Sequence, residues 1–189
     1  MSKVVVVGAS GFVGSQVCEA LERRGVEVIR AAAPRLIEPR LAAVGEAEAG
    51  GFVEEQDLAS AANAALLQAW AGADALVNAA GDPDASSRDA GALFAANGAL
   101  PGLLGRLAAE AGIPRYVQVS SAVVQGRRPI LDATDAFDAF SPYARSKVLG
   151  ERLARRFGPE TTVCYRPPSV HHESRRVTQL TARIAASGF

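Results

Sequence analysis

The stretch Lys3-Val-Val-Val-Val7-Gly8-Ala9-Ser10-Gly11-Phe12-Val13-Gly14 decides the fold. Four β-branched valines in a row fit a strand buried on both faces, which is the condition of a parallel strand. Each glycine after them has its own task. Gly8 permits a tight turn, Gly11 lets a pyrophosphate approach the backbone, and Gly14 lets the following helix pack close to the strand. The N-terminus of that helix then offers free N–H groups and the positive end of its dipole to phosphate. Three glycines alone say little. Between a strand and a helix they predict a dinucleotide cradle built from Gly8, Ser10, Gly11, Phe12, Val13 and Gly14.

Working outward, short apolar runs alternate with helical patterns along the whole chain. Strands are expected at residues 3–7, 26–32, 51–54, 73–79, 115–120 and 161–165. Helices are expected at 15–24, 59–71, 89–111 (kinked or divided at Pro101), 141–157 and 175–187, the last ended by Gly188. This alternation implies an α/β fold, a doubly wound parallel sheet of about six strands in three layers. Residues 34–50 and 125–141 read as long irregular segments, and the second is a polar loop. One domain covers the 189 residues.

Composition narrows the function. Lys+Arg and Asp+Glu each total 20, so there is no basic surplus for nucleic acid. No apolar run looks long enough to cross a bilayer, and the opening valines enter a glycine loop rather than a leader cleavage site. A cytoplasmic protein with a small-molecule substrate is expected. Cys18 and Cys164 read as small buried hydrophobes, and His171 and His172 lack a third ligand for a metal.

Nucleotide choice turns on the end of the second strand, Val28-Ile-Arg30-Ala-Ala-Ala-Pro-Arg35. An acid there would hold a ribose 2′-hydroxyl, but the chain offers none before Glu38. Arg35, or secondarily Arg30, can meet a 2′-phosphate. This favours NADP(H), with NAD(H) open and both arginines as plain surface charges the alternative.

Only Lys3 and Lys147 are lysines. Lys147 follows Tyr143 by four residues in Ser141-Pro-Tyr143-Ala-Arg-Ser-Lys147, which puts both on one helix face. A nearby ammonium lowers the pKa of a phenol and can make it an acid/base group.

The ordered set Gly8-x-x-Gly11-x-x-Gly14, Asp57-Leu58, Asn78-Ala79-Ala80-Gly81, Asn97, Val119-Ser120-Ser121, Tyr143-x-x-x-Lys147 and Arg166-Pro167 resembles the short-chain dehydrogenase/reductase superfamily. Its closest likeness is to the extended branch, the NAD-dependent epimerase/dehydratase family, over residues 3 to about 170. The resemblance implies a Rossmann-like fold and hydride transfer on a carbonyl or alcohol carbon, with sugar-derived substrates among those that fit. Tyr143 would move the proton, Lys147 would hold the ribose hydroxyls and tune Tyr143, and Ser121 (or Ser120) would bond the substrate oxygen. Asn97 would stabilise the central strands or order a water, or simply bond helix to strand. Asp57 and Leu58 would meet adenine, or Asp57 would cap a helix. Asn78, Ala79, Ala80, Gly81, Arg166 and Pro167 would line the cofactor cleft. Gln125 stands where the family's run has a tyrosine. The family's substrate lobe is largely missing. Either a second copy or the 125–140 loop completes the site, or the chain is a fragment. The rival function is a dinucleotide-binding module without turnover.

Overall fold

The computed structural model describes residues 1–187 apart from 37, 43, 86, 88, 169 and 171–175. Five parallel strands form one sheet: β1 (Lys3–Val7), β2 (Glu27–Ala31), β3 (Ala75–Asn78), β4 (Arg115–Val119) and β5 (Thr161–Tyr165), in the order β2-β1-β3-β4-β5. The helices are α1 (Phe12–Glu22), α2 (Glu46–Glu54), α3 (Ala61–Trp70), α4 (Ala90–Phe94), α5 (Leu100–Glu110), α6 (Pro142–Phe157) and α7 (Arg176–Ala186). The paired histidines and Gly188 lie outside the described residues.

The chain leaves β1 toward β2, then returns to the other side of β1 with β3. That reversal makes the switch point outside the carboxyl ends of the strands where doubly wound sheets bind ligands. The expected architecture holds with one strand fewer. Residues 51–54 are the last turn of α2, not a strand. Gly45 caps that helix, Glu46 and Glu48 sit in its first turn, and Ala49 and Val53 are buried four residues apart. Arg106 closes the other end, its Nη1 donating to the carbonyls of Val53, Glu54 and Gln56 at 2.9–3.0 Å. The helix buries a face that a short strand at the sheet edge would leave half solvated.

The two sides of the sheet are covered unequally. Val5, Val7, Leu76 and Tyr116 pack under Trp70 of α3 and the leucines of α5. Opposite them, Val4 and Val6 meet α1 through Cys18, Val17 and Leu21. Along that second side the row Val6, Val77, Val117, Val163 runs from full burial to 51% exposure, and Tyr165 is also exposed. Leu180 and Ile184 of α7 are likewise exposed.

Pro101 falls in the first turn of α5, directly after a π-turn (Ala95–Ala99) that interrupts the regular helix over the predicted 89–111 stretch. Against the expectation that no run is long enough, Ala90–Glu110 is by length and composition long and apolar enough to cross a membrane, and 78% of its most apolar stretch is buried inside the protein. Its apolarity is that of a core helix.

Candidate active site

A continuous groove runs along the carboxyl ends of the strands. It has a cradle end of about 830 Å³ and a reaction end of about 390 Å³, and Ala79, Ala80, Gly81 and Asp82 line both.

The cradle end is built from backbone. Gly8 adopts a positive φ of 79°, and a Cβ there would lie 2.7 Å from the Ala80 amide nitrogen. A Cβ on Gly14 would fall inside contact distance of the Gly8 carbonyl oxygen. The turn therefore closes only with glycine at both positions, and α1 begins directly against β1. Gly11 is the N-cap with no side-chain bond, so the first-turn N–H groups of α1 face the groove. Gly8, Ser10 and Gly11 line this end, and Val13 reaches the other. Phe12 and Gly14 serve from within the first turn of α1.

The two arginines behind the nucleotide expectation separate. Arg35 lines the cradle, together with Glu38, whose carboxylate is taken by Arg40 at 2.7–2.8 Å. That pairing holds the Glu38 carboxyl down to about 2, the Arg40 guanidinium being the main cause. Arg30 lies outside the groove lining, with its guanidinium on both Glu22 oxygens at 2.8 and 2.9 Å. Asp57 and Leu58 do not line the groove either. Asp57 Oδ1 accepts from the Ala59 N–H at 2.9 Å, while Ser60 is the cap of α3, and Leu58 packs against the core.

Strand β3 ends in a buried polar knot. Asn78 Nδ2 donates to Gln118 Oε1 at 2.7 Å, and Asn78 Oδ1 accepts from the Ala80 N–H at 2.9 Å. Tyr116 donates to Gln118 Oε1 at 2.8 Å. Asn78 thus shapes the Ala79–Ala80 turn from behind. Asn97, in the π-turn, accepts from the Asp82 N–H and donates to the Asp82 carbonyl, both at 3.0 Å. These bonds tie the π-turn to the loop that follows β3. Asn97 thereby holds the groove wall at Asp82. Gly81 must be small beside it, since a Cβ would sit 2.6 Å from Asn97 Oδ1 and 3.2 Å from Lys147 Nζ.

The reaction end is built from side chains. Ser141 caps α6, accepting from the Ala144 N–H at 3.1 Å, and Pro142 starts the helix. Tyr143 and Lys147 then share one face, and Lys147 Nζ lies 5.8 Å from the Tyr143 ring centre. Close packing brings them in. A Cβ on Gly98 would meet Leu149, and one on Gly150 the Asn97 carbonyl. Lys147 is 8% exposed, and burial brings its ammonium down to about 8, against the opposing pull of Asp82 and Glu151. Ser121 Oγ accepts from the Val123 N–H at 3.3 Å and caps a 3₁₀ turn (Ala122–Gln125). Ser120, Ser121, Tyr143, Lys147 and Pro167 line this one cavity.

Arg166 does not face the groove. Its guanidinium grips buried Glu151 at 2.7–3.2 Å and bonds the Asp132 and Thr134 carbonyls of the polar loop. Gln125 ties the same loop, donating to Asp132 Oδ1 at 2.9 Å and accepting from the Asp132 N–H at 2.9 Å. The Ala122 N–H donates to the Pro167 carbonyl at 2.9 Å. The Arg-Pro pair is a strut between the serine turn and α6, and of the two only Pro167 lines the groove. The sequence reading missed Asp82, which follows the Asn78–Gly81 run directly, and Glu151, which is four residues beyond Lys147 on the same face.

Solved structures share this fold. dTDP-4-dehydrorhamnose reductase from Bacillus anthracis, in complex with NADP, is 15% identical, with a TM-score of 0.70, 100% of this chain covered and 62% of that one. UDP-glucuronic acid 4-epimerase from Bacillus cereus, in complex with NAD, is 19% identical, with a TM-score of 0.65, 97% of this chain and 64% of that one. A short-chain dehydrogenase/reductase superfamily protein from Agrobacterium tumefaciens with bound NAD is 28% identical, with a TM-score of 0.61, 87% of this chain and 48% of that one. The chain spans at most about two thirds of the length of these structures. No curated protein matches it. The model of the NAD dependent epimerase/dehydratase family matches residues 4–187, so the chain belongs to that family.

Proposed function

We propose that this chain carries the dinucleotide site and the catalytic groups of an NAD(P)-dependent enzyme that oxidises or reduces a carbon bearing oxygen. One observation carries the proposal: Ser121, Tyr143 and Lys147 meet in a cavity that continues into the glycine cradle. The cradle fits a dinucleotide on its own terms, because Gly8, Ser10 and Gly11 line it with little side-chain bulk and the uncapped first turn of α1 offers its N–H groups there. Gly8, Ser10, Gly11 and the first turn of α1 would hold the phosphates, and Lys147 the ribose hydroxyls beside Tyr143.

When bound, a nicotinamide dinucleotide supplies the hydride acceptor or donor. The chain's own groups handle the proton and the charge. Ser121 has its lone pair used by Val123, so its hydrogen is available to a substrate oxygen as charge develops there. Tyr143 takes or returns the hydroxyl proton. Lys147, with a pKa brought to about 8, is mostly cationic at neutral pH and stabilises the phenolate, its Nζ lying 5.8 Å from the centre of the Tyr143 ring.

Arg35 in the cradle, with Glu38 already paired, favours NADP(H) over NAD(H). Sugar nucleotides are the substrate class suggested by the reductase and epimerase it resembles. A cytoplasmic enzyme fits this chemistry. The test is a panel of sugar nucleotides and simple carbonyls with wild type and Tyr143→Phe. Turnover by wild type alone supports an enzyme. NADPH binding with no turnover by either protein supports the rival binding module.

A further inference from the structure

Tyr143, Lys147 and Glu151 follow one another at four-residue spacing and share one face of α6. The first two line the reaction end. Glu151 lies one turn further along the helix, with 0% exposure. A carboxylate taken out of water is costly unless it is paired and hydrogen-bonded, and an apolar side chain in such a place commonly folds as well or better. Folding alone therefore gives no reason for an acid at this position.

The carboxylate is held from two sides. Arg166 Nε donates to Oε1 at 2.9 Å and Oε2 at 3.2 Å, and Nη2 donates to Oε2 at 2.7 Å. Arg155 Nη2 meets Oε2 at 3.4 Å. Arg166 uses its remaining N–H groups on the Asp132 and Thr134 carbonyls and on Asp135 Oδ1, and Arg155 reaches the same Asp135 oxygen at 3.2 Å. Two acids and two arginines thus alternate in a closed ring that joins α6, the end of β5 and the polar loop.

Burial is the largest influence on the Lys147 ammonium and disfavours its charge. Asp82, from the loop after β3, and Glu151, from its own helix, oppose that effect. Other charged groups around α6 are engaged elsewhere or exposed. Glu46 and Glu54 of α2 pair with Arg152 and Arg156, Arg106 of α5 bonds the α2 carbonyls, and Arg145 and Glu110 are exposed. Cys164 on β5 stays a neutral thiol, pushed up to about 12 chiefly by burial.

We propose that Glu151 is a positioning residue for the reaction, acting on Lys147 through its charge, with Arg155, Arg166 and Asp135 fixing that charge in place. This rests on the proton-transfer roles given to Tyr143 and Lys147 above. Glu151 keeps an ammonium charged beside Tyr143 where burial would favour the amine. Arg166 occupies the carboxylate, so that it does not close onto Lys147 Nζ, and the Nζ hydrogens are left to the cavity.

Lys3 and Lys147 are the two lysines of the chain, so lysine labelled with 13C at Cε gives two NMR signals, and Lys3→Arg identifies them. The free protein is titrated from about pH 6 to about pH 11. Lys147 of wild type has its midpoint at about 8. In Glu151→Gln the midpoint moves down by about one pH unit, the size of one charge lost at this spacing. In Arg166→Gln it moves up by less, and the double variant lies between the two. An unmoved midpoint in Glu151→Gln overturns the proposal. Shifts of the same sign in the two single variants also overturn it, since they mark a shared disturbance of the fold. If Glu151→Gln does not fold, Arg166→Gln decides, and no upward shift there overturns the proposal. Where the protein turns over a substrate, the alkaline limb of its pH profile follows Lys147 in both variants. Opposite NMR shifts without any turnover support the coupling of Glu151 to Lys147 and sink the reaction reading. Turnover with an unmoved Lys147 midpoint does the reverse.

Discussion

The two ends of the groove solve different problems with different parts of the chain. The cradle end is shaped by what is missing: no Cβ at Gly8 or Gly14, and a helix N-terminus left without a side-chain cap. The reaction end is shaped by what is added: a phenol, an ammonium and two hydroxyls brought together from β4 and α6. The first offers backbone N–H groups to a ligand. The second can move a proton but has no phosphate-sized nest of its own. The difference teaches that binding and chemistry should fail separately, because they rest on separate elements joined only at Ala79–Asp82.

Tyr143→Phe should break the reaction end alone. Turnover is expected to fall roughly 10³-fold, within the range for loss of a proton-transfer group, with NADPH affinity unchanged within a factor of about two. Steady-state rates and titration of the same sample check it. A parallel loss of affinity would mean that the two ends are not separable.

Lys147→Met tests the burial of charge at that end. Burial lowers the folded pKa to about 8 from an unfolded 10.5, so the charged form opposes folding. The penalty is full below pH 8 and fades as pH rises to 10.5. The variant should therefore be more stable than wild type at pH 7, by up to about 3 kcal/mol, with the gap closing toward pH 10.5. Denaturant melts at several pH values measure this, and a constant gap would contradict it.

Gly14→Ala should break the cradle alone. Its new Cβ would collide with the Gly8 carbonyl. Dinucleotide affinity is expected to drop about 100-fold, some 2.7 kcal/mol, read by titration. Arg35→Ala is the smallest and sharpest change. NADPH affinity should fall about tenfold, the order expected for loss of one exposed charged contact to phosphate, while NADH affinity holds. An equal effect on both would remove Arg35 from the specificity account.

The cradle was the legible part of the sequence because glycine spacing reports backbone shape directly. The Tyr143–Lys147 pair was legible for a similar reason, since helix periodicity alone puts them on one face. The reading failed where partners come from distant elements. Arg166 looked like a cleft residue beside Pro167, but it is Glu151, on another element, that turns its guanidinium away. Residues 51–54 read as a strand from Phe52 and Val53. Burial of Ala49 and Val53, with Arg106 closing the carbonyl end, makes them helix. Arg35 ranked ahead of Arg30 from the sequence, and what the sequence did not show is that Glu22 on α1 holds the Arg30 guanidinium.

The most direct test of the account is an equilibrium titration of the chain with NADPH and NADH, in wild type and in Gly14→Ala. Wild type should saturate at one equivalent, tighter for NADPH, and the variant should lose that saturation. No saturation of wild type by either nucleotide, or saturation that survives Gly14→Ala, would contradict it.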